Sequence, residues 1–336
     1  MLPAAPVMRM VGMETDPRPR PGAAAAGAAP EHPAPERAAP GSRYNRDMIT
    51  TDALRHVLGP LGIWMPPPAR IGIDPQAYAR EIEAAGFTSV WYPGVNSPAD
   101  LAALEPALEA TDRLVLGTGI ASVWTWQAAD LAAAAGRLER QYPGRFVLGL
   151  GVSHAPAVEA TGQAYVRPYT KMVQFLDELP DAGVPVVLAA LGPKMLELSR
   201  MRTAGAHPYF APPEHTAFSR RVLGAAPLLV PEIAVALAAG DAGRQHARDY
   251  AKFYLRLPNY TGNLRRFGYT DADIDDGGSD RLIADVVPHG REAALAGIAA
   301  HLAAGADHVV VQLIGEDGRF APGDLPALAE LTAGLR

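Results

Sequence analysis

The clearest chemistry in this sequence sits at one imidazole and one helix start. His154 closes the stretch Phe-Val-Leu-Gly-Leu-Gly-Val-Ser-His, Phe146 to His154. The apolar run Phe146 to Leu150 lacks polar alternation, as in a strand buried on both faces, and such a strand delivers functional groups from the loop at its C-terminal edge. A neutral imidazole there can donate or accept a proton near physiological pH. Gly149 and Gly151 leave room for a planar ligand to approach the backbone. The second feature is Gly192-Pro193-Lys194, which follows another apolar run. Proline at a first helical position opens a helix whose free amides and dipole suit an anion, and Lys194 adds charge.

Other reactive types read more plainly as structure. His207 and His308 fall inside predicted strands, where a packed, hydrogen-bonded histidine is expected. His215, Asp271 and Asp273 have no partner at metal-ligand spacing, so no metal site is expected. Trp64, Trp91, Trp124 and Trp126 lie at or just beyond strand ends; Trp64 and Trp124 suit either ring stacking or core packing. Pro258-Asn259-Tyr260 suits either substrate contact or anchoring of its own segment.

The elements that must position these groups follow from pattern. The chain has 336 residues and is 49% apolar, enough for one large α/β domain. Its 30 basic and 36 acidic side chains, 30 − 36 = −6, offer no nucleic-acid surface. Cysteine is absent, which excludes disulfides, thiolate ligands and cysteine nucleophiles and fits a reducing, cytoplasmic setting. No apolar run is long enough to span a bilayer. Residues 1–52 read as a disordered Pro/Ala-rich extension and 53–336 as the folded part. Glu14, Asp16, Glu31, Glu36 and the missing apolar h-region argue against a targeting peptide, and Met48 is a possible natural start.

From Leu61 onward, strand-length apolar runs alternate with amphipathic helices. The expected strands are Leu61 to Met65, Ser89 to Tyr92, Leu114 to Gly119, Phe146 to Leu150, Pro185 to Ala190, Ala206 to Phe210, Leu228 to Val235 and His308 to Ile314. Asp74-Pro75 and Ser97-Pro98 read as helix starts, and Leu101, Leu104 and Leu108 as one buried stripe. An Ala-Gly pair recurs at Gly86, Gly183, Gly205 and Gly305, each read as a helix end turning into the next strand. About eight such units in roughly 280 residues is the rhythm of a (β/α)8 TIM barrel, with a doubly wound open sheet as runner-up lacking its glycine fingerprint. The rhythm breaks between Asp249 and His289, which reads as an insertion before the last βα unit.

Five stretches in order resemble the luciferase-like monooxygenase superfamily, specifically its bacterial branch of oxidoreductases dependent on coenzyme F420. They are Leu61-Gly62-Ile63-Trp64, Ala84 to Trp91, Leu116 to Ala121, Pro143 to Gly151 and Leu191-Gly192-Pro193-Lys194. The resemblance implies a barrel with a flavin-like ring across its C-terminal mouth. It implies a bulge at Gly119 and Ile120, continuing into Ala121 and Ser122, that commonly holds a non-proline cis peptide behind the ring. It places Gly151, Val152 and Ser153 along the ring and ribityl chain, and Leu191, Gly192, Pro193, Lys194 and Met195 on the phosphate side. His154 takes a position that carries an acid in some relatives. Where some relatives carry an Asp-His pair, this chain has Pro93, Gly94 and Val95, so that proton donor is missing. The implied activity is hydride transfer between F420 and a small organic substrate by a homodimer. The alternatives are an FMN-dependent monooxygenase and a non-catalytic cofactor-binding relative.

Overall fold

The computed structural model describes residues 51–336. The readings made for residues 1–50, including the disordered extension and the start at Met48, lie outside the described residues. The chain forms a single curled parallel sheet wrapped by helices. Its strands are β1 (Leu61–Trp64), β2 (Ser89–Tyr92), β3 (Val115–Thr118), β4 (Ala121–Ser122), β5 (Phe146–Gly151), β6 (Val186–Leu188), β7 (Gly205–Ala206), β8 (Leu228–Leu229), β9 (Glu232–Val235) and β10 (Val309–Leu313). The order is β8-β7-β6-β5-β3-β2-β1-β10-β9, with β4 pairing β5. The path's two ends are consecutive in the chain, and Tyr209 bridges to Glu232 between them.

Alternation along each strand sorts the core into two layers. Leu61, Ile63, Val90, Leu116, Leu148, Leu188, Val309 and Val311 share the cluster that receives helix residues such as Ile82, Leu131, Leu138 and Ile298. Their neighbours in sequence face the other way: Trp91, Val115, Val147, Val187, Leu228 and Val310 form an inner cluster. Trp91 lies opposite Gly117, and a Cβ on that glycine would come within 2.3 Å of the indole. Leu54 and Leu58 join this cluster from helix Thr51–Leu58. That helix rests against the segments feeding β8 and β10, where Arg55 binds Asp307 at 2.7 Å and the Ala225 and Ala226 carbonyls. It was not anticipated, although Leu54 and Leu58 stand four residues apart, as one helix face requires.

The expected helix starts are present. Asp74 accepts from the Gln76 amide at 3.0 Å and Ser97 from the Asp100 amide at 3.2 Å. Four expectations need correction, and proline explains two of them. The helix opening at Ser97 is two short ones, Pro98–Ala102 and Glu105–Glu109, because Pro106 has no amide to continue the first; the stripe Leu101, Leu104, Leu108 is buried all the same. The strand expected over Leu228 to Val235 splits at Val230-Pro231, and its halves pair with different neighbours, β7 and β10. Ala206 to Phe210 is extended only at Gly205–Ala206, followed by Pro208 and a left-handed Phe210 at φ 49°. The Ala-Gly repeat also holds at three copies: Gly86, Gly183 and Gly305 have positive φ, whereas Gly205 lies within β7, where a Cβ would sit 2.2 Å from the Leu228 carbonyl oxygen. Among the described residues no helix is long and apolar enough to cross a membrane.

Candidate functional site

Parallel strands share one C-terminal rim, so the segments after β3, β5 and β6 emerge side by side. After β3, the Gly119–Ile120 peptide bond is cis, as the resemblance implies. Ile120 is half-buried, and its side chain lies over Gly151: a Cβ there would meet Ile120 Cγ1 at 2.6 Å and Ala189 Cβ at 3.2 Å. This corrects one sequence argument. The room left by Gly149 and Gly151 is taken by the protein itself, since a Cβ at Gly149 would sit 1.8 Å from the Thr118 carbonyl oxygen. Those glycines admit the bulge, and the bulge presents Ile120 to the rim. Ala121 and Ser122 form β4 behind it and are buried, with Ala121 opposite Leu150 and the Ser122 hydroxyl accepting from the Trp124 amide.

Beyond β5, Val152, Ser153 and His154 are half-buried. Ser153 is left-handed at φ 55°, an uncommon conformation for a residue with a Cβ. Two long side chains hold this turn: the Trp124 indole donates to the Val152 carbonyl at 2.7 Å, and the Tyr165 hydroxyl reaches the Ser153 carbonyl at 3.4 Å. His154 precedes helix Ala155–Glu159 and packs on Tyr260 with ring centroids 5.4 Å apart. Its Nδ1 is buried without a hydrogen-bond partner. Burial lowers its pKa from the usual 6.5, opposed by a hydrogen bond with Asn259. The ring is therefore neutral at pH 7.

Past β6, Gly192 leads into helix Pro193–Arg202, and no side chain caps the helix start. A Cβ on Gly192 would meet nothing within 4 Å. Lys194 is exposed, and Met195 turns back against the core. Leu191 packs with the aromatic cluster, and its carbonyl accepts from His215 Nε2 at 2.9 Å. His215 thus braces the loop that carries the helix start.

The helices from Gly240 to Val286 come to the same rim, a placement sequence alone left undecided. Tyr254, ending helix Gly240–Tyr254, and Tyr260, in helix Pro258–Arg266, pack against Tyr209 and Phe210, which follow β7. Tyr209 and Tyr250 both donate to Gln312 Oε1 on β10. Tyr209, Phe210, Tyr254 and Gln312 were not anticipated as site residues; the available signal was the density of tyrosines in the segment where the rhythm breaks.

The expected structural residues are satisfied. His308 Nδ1 donates to the Gly59 carbonyl at 2.9 Å, its Nε2 accepts from Ser89 at 2.8 Å, and Ser89 in turn accepts from Trp91. His207 Nδ1 donates to the Val230 carbonyl at 2.7 Å. Trp91 and Trp126 are core residues, whereas Trp64 is half-buried beside Gly119. Pro93, Gly94 and Val95 bring no titratable side chain to the rim; Val95 is buried, and its carbonyl accepts from Trp126. Among the described residues no group of three or more His, Asp or Glu could hold a metal ion.

The rim therefore presents an apolar platform at Ile120 and Val152, an uncapped helix start at Gly192, and a neutral imidazole beside tyrosines. Known proteins share the fold that carries this rim. The model of the luciferase-like monooxygenase family matches residues 74–179. A 5,10-methylenetetrahydromethanopterin reductase of Methanolobus tindarius is 29% identical over 148 residues, which is 36% of this chain and 45%, less than half, of that protein's length. Among solved structures, the coenzyme F420 dependent tetrahydromethanopterin reductase of Methanopyrus kandleri superposes with a TM-score of 0.62 at 15% identity, covering 82% of this chain and 97% of that one. The oxygenating constituent of 3,6-diketocamphane monooxygenase from Pseudomonas putida, in complex with FMN, superposes with a TM-score of 0.57, also at 15% identity, over 82% of this chain and 96% of that one. At such identities the structures speak for the fold. The chain therefore shares the fold of these proteins, and its residues 74–179 are similar to the luciferase-like monooxygenase family.

Proposed function

We propose that this protein is an oxidoreductase that transfers hydride between coenzyme F420 and a small organic substrate. The observation that carries the reading is the convergence on one rim of Ile120, the Val152-Ser153-His154 turn and the helix start at Gly192. A deazaflavin needs a flat apolar backing, a path for its ribityl chain and an anion site, and these segments supply them in that order. Gly192 strengthens the fit: no protein atom occupies the space beside it, yet the backbone there begins a helix without a side-chain cap. When bound, the cofactor would supply the hydride chemistry. Ile120 would back the ring, Val152 and Ser153 would line it, Leu191, Gly192, Lys194 and Met195 would meet the phosphate side, and His154 would exchange a proton with the substrate.

The sheet supports a (β/α)8 barrel with the helices from Gly240 to Val286 inserted before the last unit. Counting β8 and β9 as one strand bent at Pro231, the ring runs β1-β2-β3-β5-β6-β7-β8/β9-β10 and returns to β1. The protein would act as a homodimer in the cytoplasm, with no nucleic-acid or membrane partner. A second reading, an FMN-dependent monooxygenase, is favoured by the likeness to the FMN-bound camphane enzyme. The missing strand-two acid-histidine pair keeps a third reading, a cofactor-binding protein without turnover.

The deciding experiment is titration of the purified protein with F420 and with FMN, following quenching of cofactor fluorescence. Binding of F420 in preference to FMN is expected. Tight FMN binding without F420 binding would reverse the choice, and F420 binding with no hydride transfer to any alcohol, enone or imine would favour the non-catalytic reading.

A further inference from the structure

His215 is a buried histidine that the proposed function leaves unused, yet it grips the chain where the rim opens to an anion. It belongs to helix Pro213–Leu223 and is 0% exposed. Its Nε2 lies 2.9 Å from the carbonyl oxygen of Leu191, 24 residues earlier, and its Nδ1 lies 3.3 Å from the Ser219 hydroxyl. A carbonyl only accepts, so Nε2 carries the proton, and Nδ1 accepts from Ser219: the ring is held in one tautomer. Phe267 packs edge-on against it with centroids 5.3 Å apart. Burial, aided by Arg266, lowers its pKa from 6.5 to about 4 against the pull of the Leu191 bond. The imidazole is therefore a neutral donor near pH 7 and brings no charge of its own.

The consequence of the bond follows from the peptide it holds. Among the described residues the only cis peptide is Gly119–Ile120, so the Leu191–Gly192 unit is trans. In a planar trans peptide the C=O and N–H point to opposite edges. Drawing the Leu191 carbonyl onto a ring inside the protein therefore turns the Gly192 N–H away from that ring, and no acceptor among the described residues takes it. Gly192 is only half-buried, with open space beside its Cα. On its other side, the Gly192 carbonyl accepts from the Met195 and Leu196 amides at 3.1 Å each. Both peptide planes that flank Gly192 are thus fixed, one by the helix and the other by His215. An apolar side chain at 215 could fill the same space but would leave the first plane without its anchor.

We propose that His215 is a positioning residue for the phosphate of the cofactor: by holding the Leu191 carbonyl it aims the Gly192 amide at the anion. The proposal rests on the reading of this rim as a cofactor site with its phosphate side at Gly192. The two hydrogen bonds are coupled, because one peptide group makes both. An anion accepting from the Gly192 N–H polarises the peptide and makes the Leu191 oxygen a stronger acceptor, which strengthens the bond from His215. The ring and the phosphate therefore reinforce each other across one peptide plane without touching.

Two variants separate positioning from packing. In His215→Gln the side-chain amide reaches as far as Nε2 and still donates to Leu191, whereas in His215→Asn it ends level with Nδ1, beside Ser219. Fluorescence titration is expected to give a Kd for F420 within about threefold of wild type in His215→Gln and at least about 10-fold higher in His215→Asn, although both lose the imidazole. The same comparison applies to FMN, which also carries a phosphate. Equal Kd values in the two variants overturn the proposal. A second readout needs neither cofactor nor variant, and so decides if His215→Asn does not fold. When inorganic phosphate is added to the wild-type protein, the Gly192 amide proton and the His215 Nε2 proton are expected to move downfield together in NMR spectra. Movement of the Gly192 proton alone, or of neither, overturns the proposal. Failure to bind F420 or FMN while inorganic phosphate moves both protons overturns the hydride reading instead and upholds the role of His215 at the anion site.

Discussion

Gly192→Ala separates a glycine the fold needs from one a ligand needs. At Gly192 the backbone has φ −85° and ψ 156°, open to any residue, and a Cβ would touch nothing within 4 Å. The protein alone therefore has no steric objection to alanine. Reduced freedom of the unfolded chain should even stabilise the variant by about 0.4–1 kcal/mol, which for a domain of this size raises Tm by at most about 4 °C. Binding should respond in the opposite sense. A phosphate resting on the Gly192 and Lys194 amides would meet the new methyl group and lose at least one charge-assisted hydrogen bond. Such bonds contribute about 1.5–3 kcal/mol, so Kd for the cofactor should rise about 10- to 150-fold.

The assay pairs a thermal melt with fluorescence titration of F420 and FMN. Unchanged or raised Tm together with weakened binding is the expected result. Equal affinity in variant and wild type would refute the anion site, because it would mean that nothing approaches the one face of Gly192 that the protein leaves open. A large drop in Tm would refute the structural premise instead.

Gly149→Ala is expected to behave in the reverse way: its Cβ would lie 1.8 Å from the Thr118 carbonyl oxygen, in a strand whose amide and carbonyl both bond the Thr118 hydroxyl at 2.8 Å, so a melt should show a loss of about 3 kcal/mol or no soluble protein. His154→Ala should lower turnover about 100-fold while leaving cofactor Kd unchanged; equal turnover would remove His154 from the mechanism. Stability should fall on acidification, read as the urea midpoint. Burial lowers the pKa of His215, His301 and His308 from 6.5 to about 4 each. Between those values the unfolded chain binds more protons, so their contribution is complete above pH 6.5 and lost as pH falls towards 4, on the order of 3 kcal/mol each. Glu232 acts oppositely, since its raised pKa favours the folded state at low pH and that contribution is lost as pH rises through about 6, but it is one group against three. A midpoint unchanged between pH 6.5 and 4 would contradict the burial of these rings.

The parts of this molecule legible in its sequence are those governed by local rules. Buried parallel strands announce themselves as unbroken apolar runs, and Asp74, Ser97, Gly86, Gly183 and Gly305 mark helix ends by chemistry acting within a few residues. His154 was visible for the same reason, standing directly after such a run. Proline shows where that reading loses resolution: Pro106 and Pro231 each divide a segment whose apolar pattern is continuous, and at Pro231 the division lets one stretch of chain pair with β7 on one side and β10 on the other.

What sequence could not disclose are meetings between residues far apart in the chain. Gly149 and Gly151 looked like openings for a ligand because the bulge that fills them comes from Ile120 and Thr118, some thirty residues earlier. Tyr254 and Tyr260 belong to a segment whose side of the sheet depends on tertiary packing, and only their contacts with Tyr209, Phe210 and His154 bring them to the rim. Glu232 is the sharpest case. In sequence it is an acid after Val-Pro, indistinguishable from an exposed residue at the start of a strand. Its setting comes from His207 at 3.6 Å and from burial that leaves Oε1 without a partner. Packing alone would have favoured an apolar residue there, because a carboxyl group buried with so few partners costs stability.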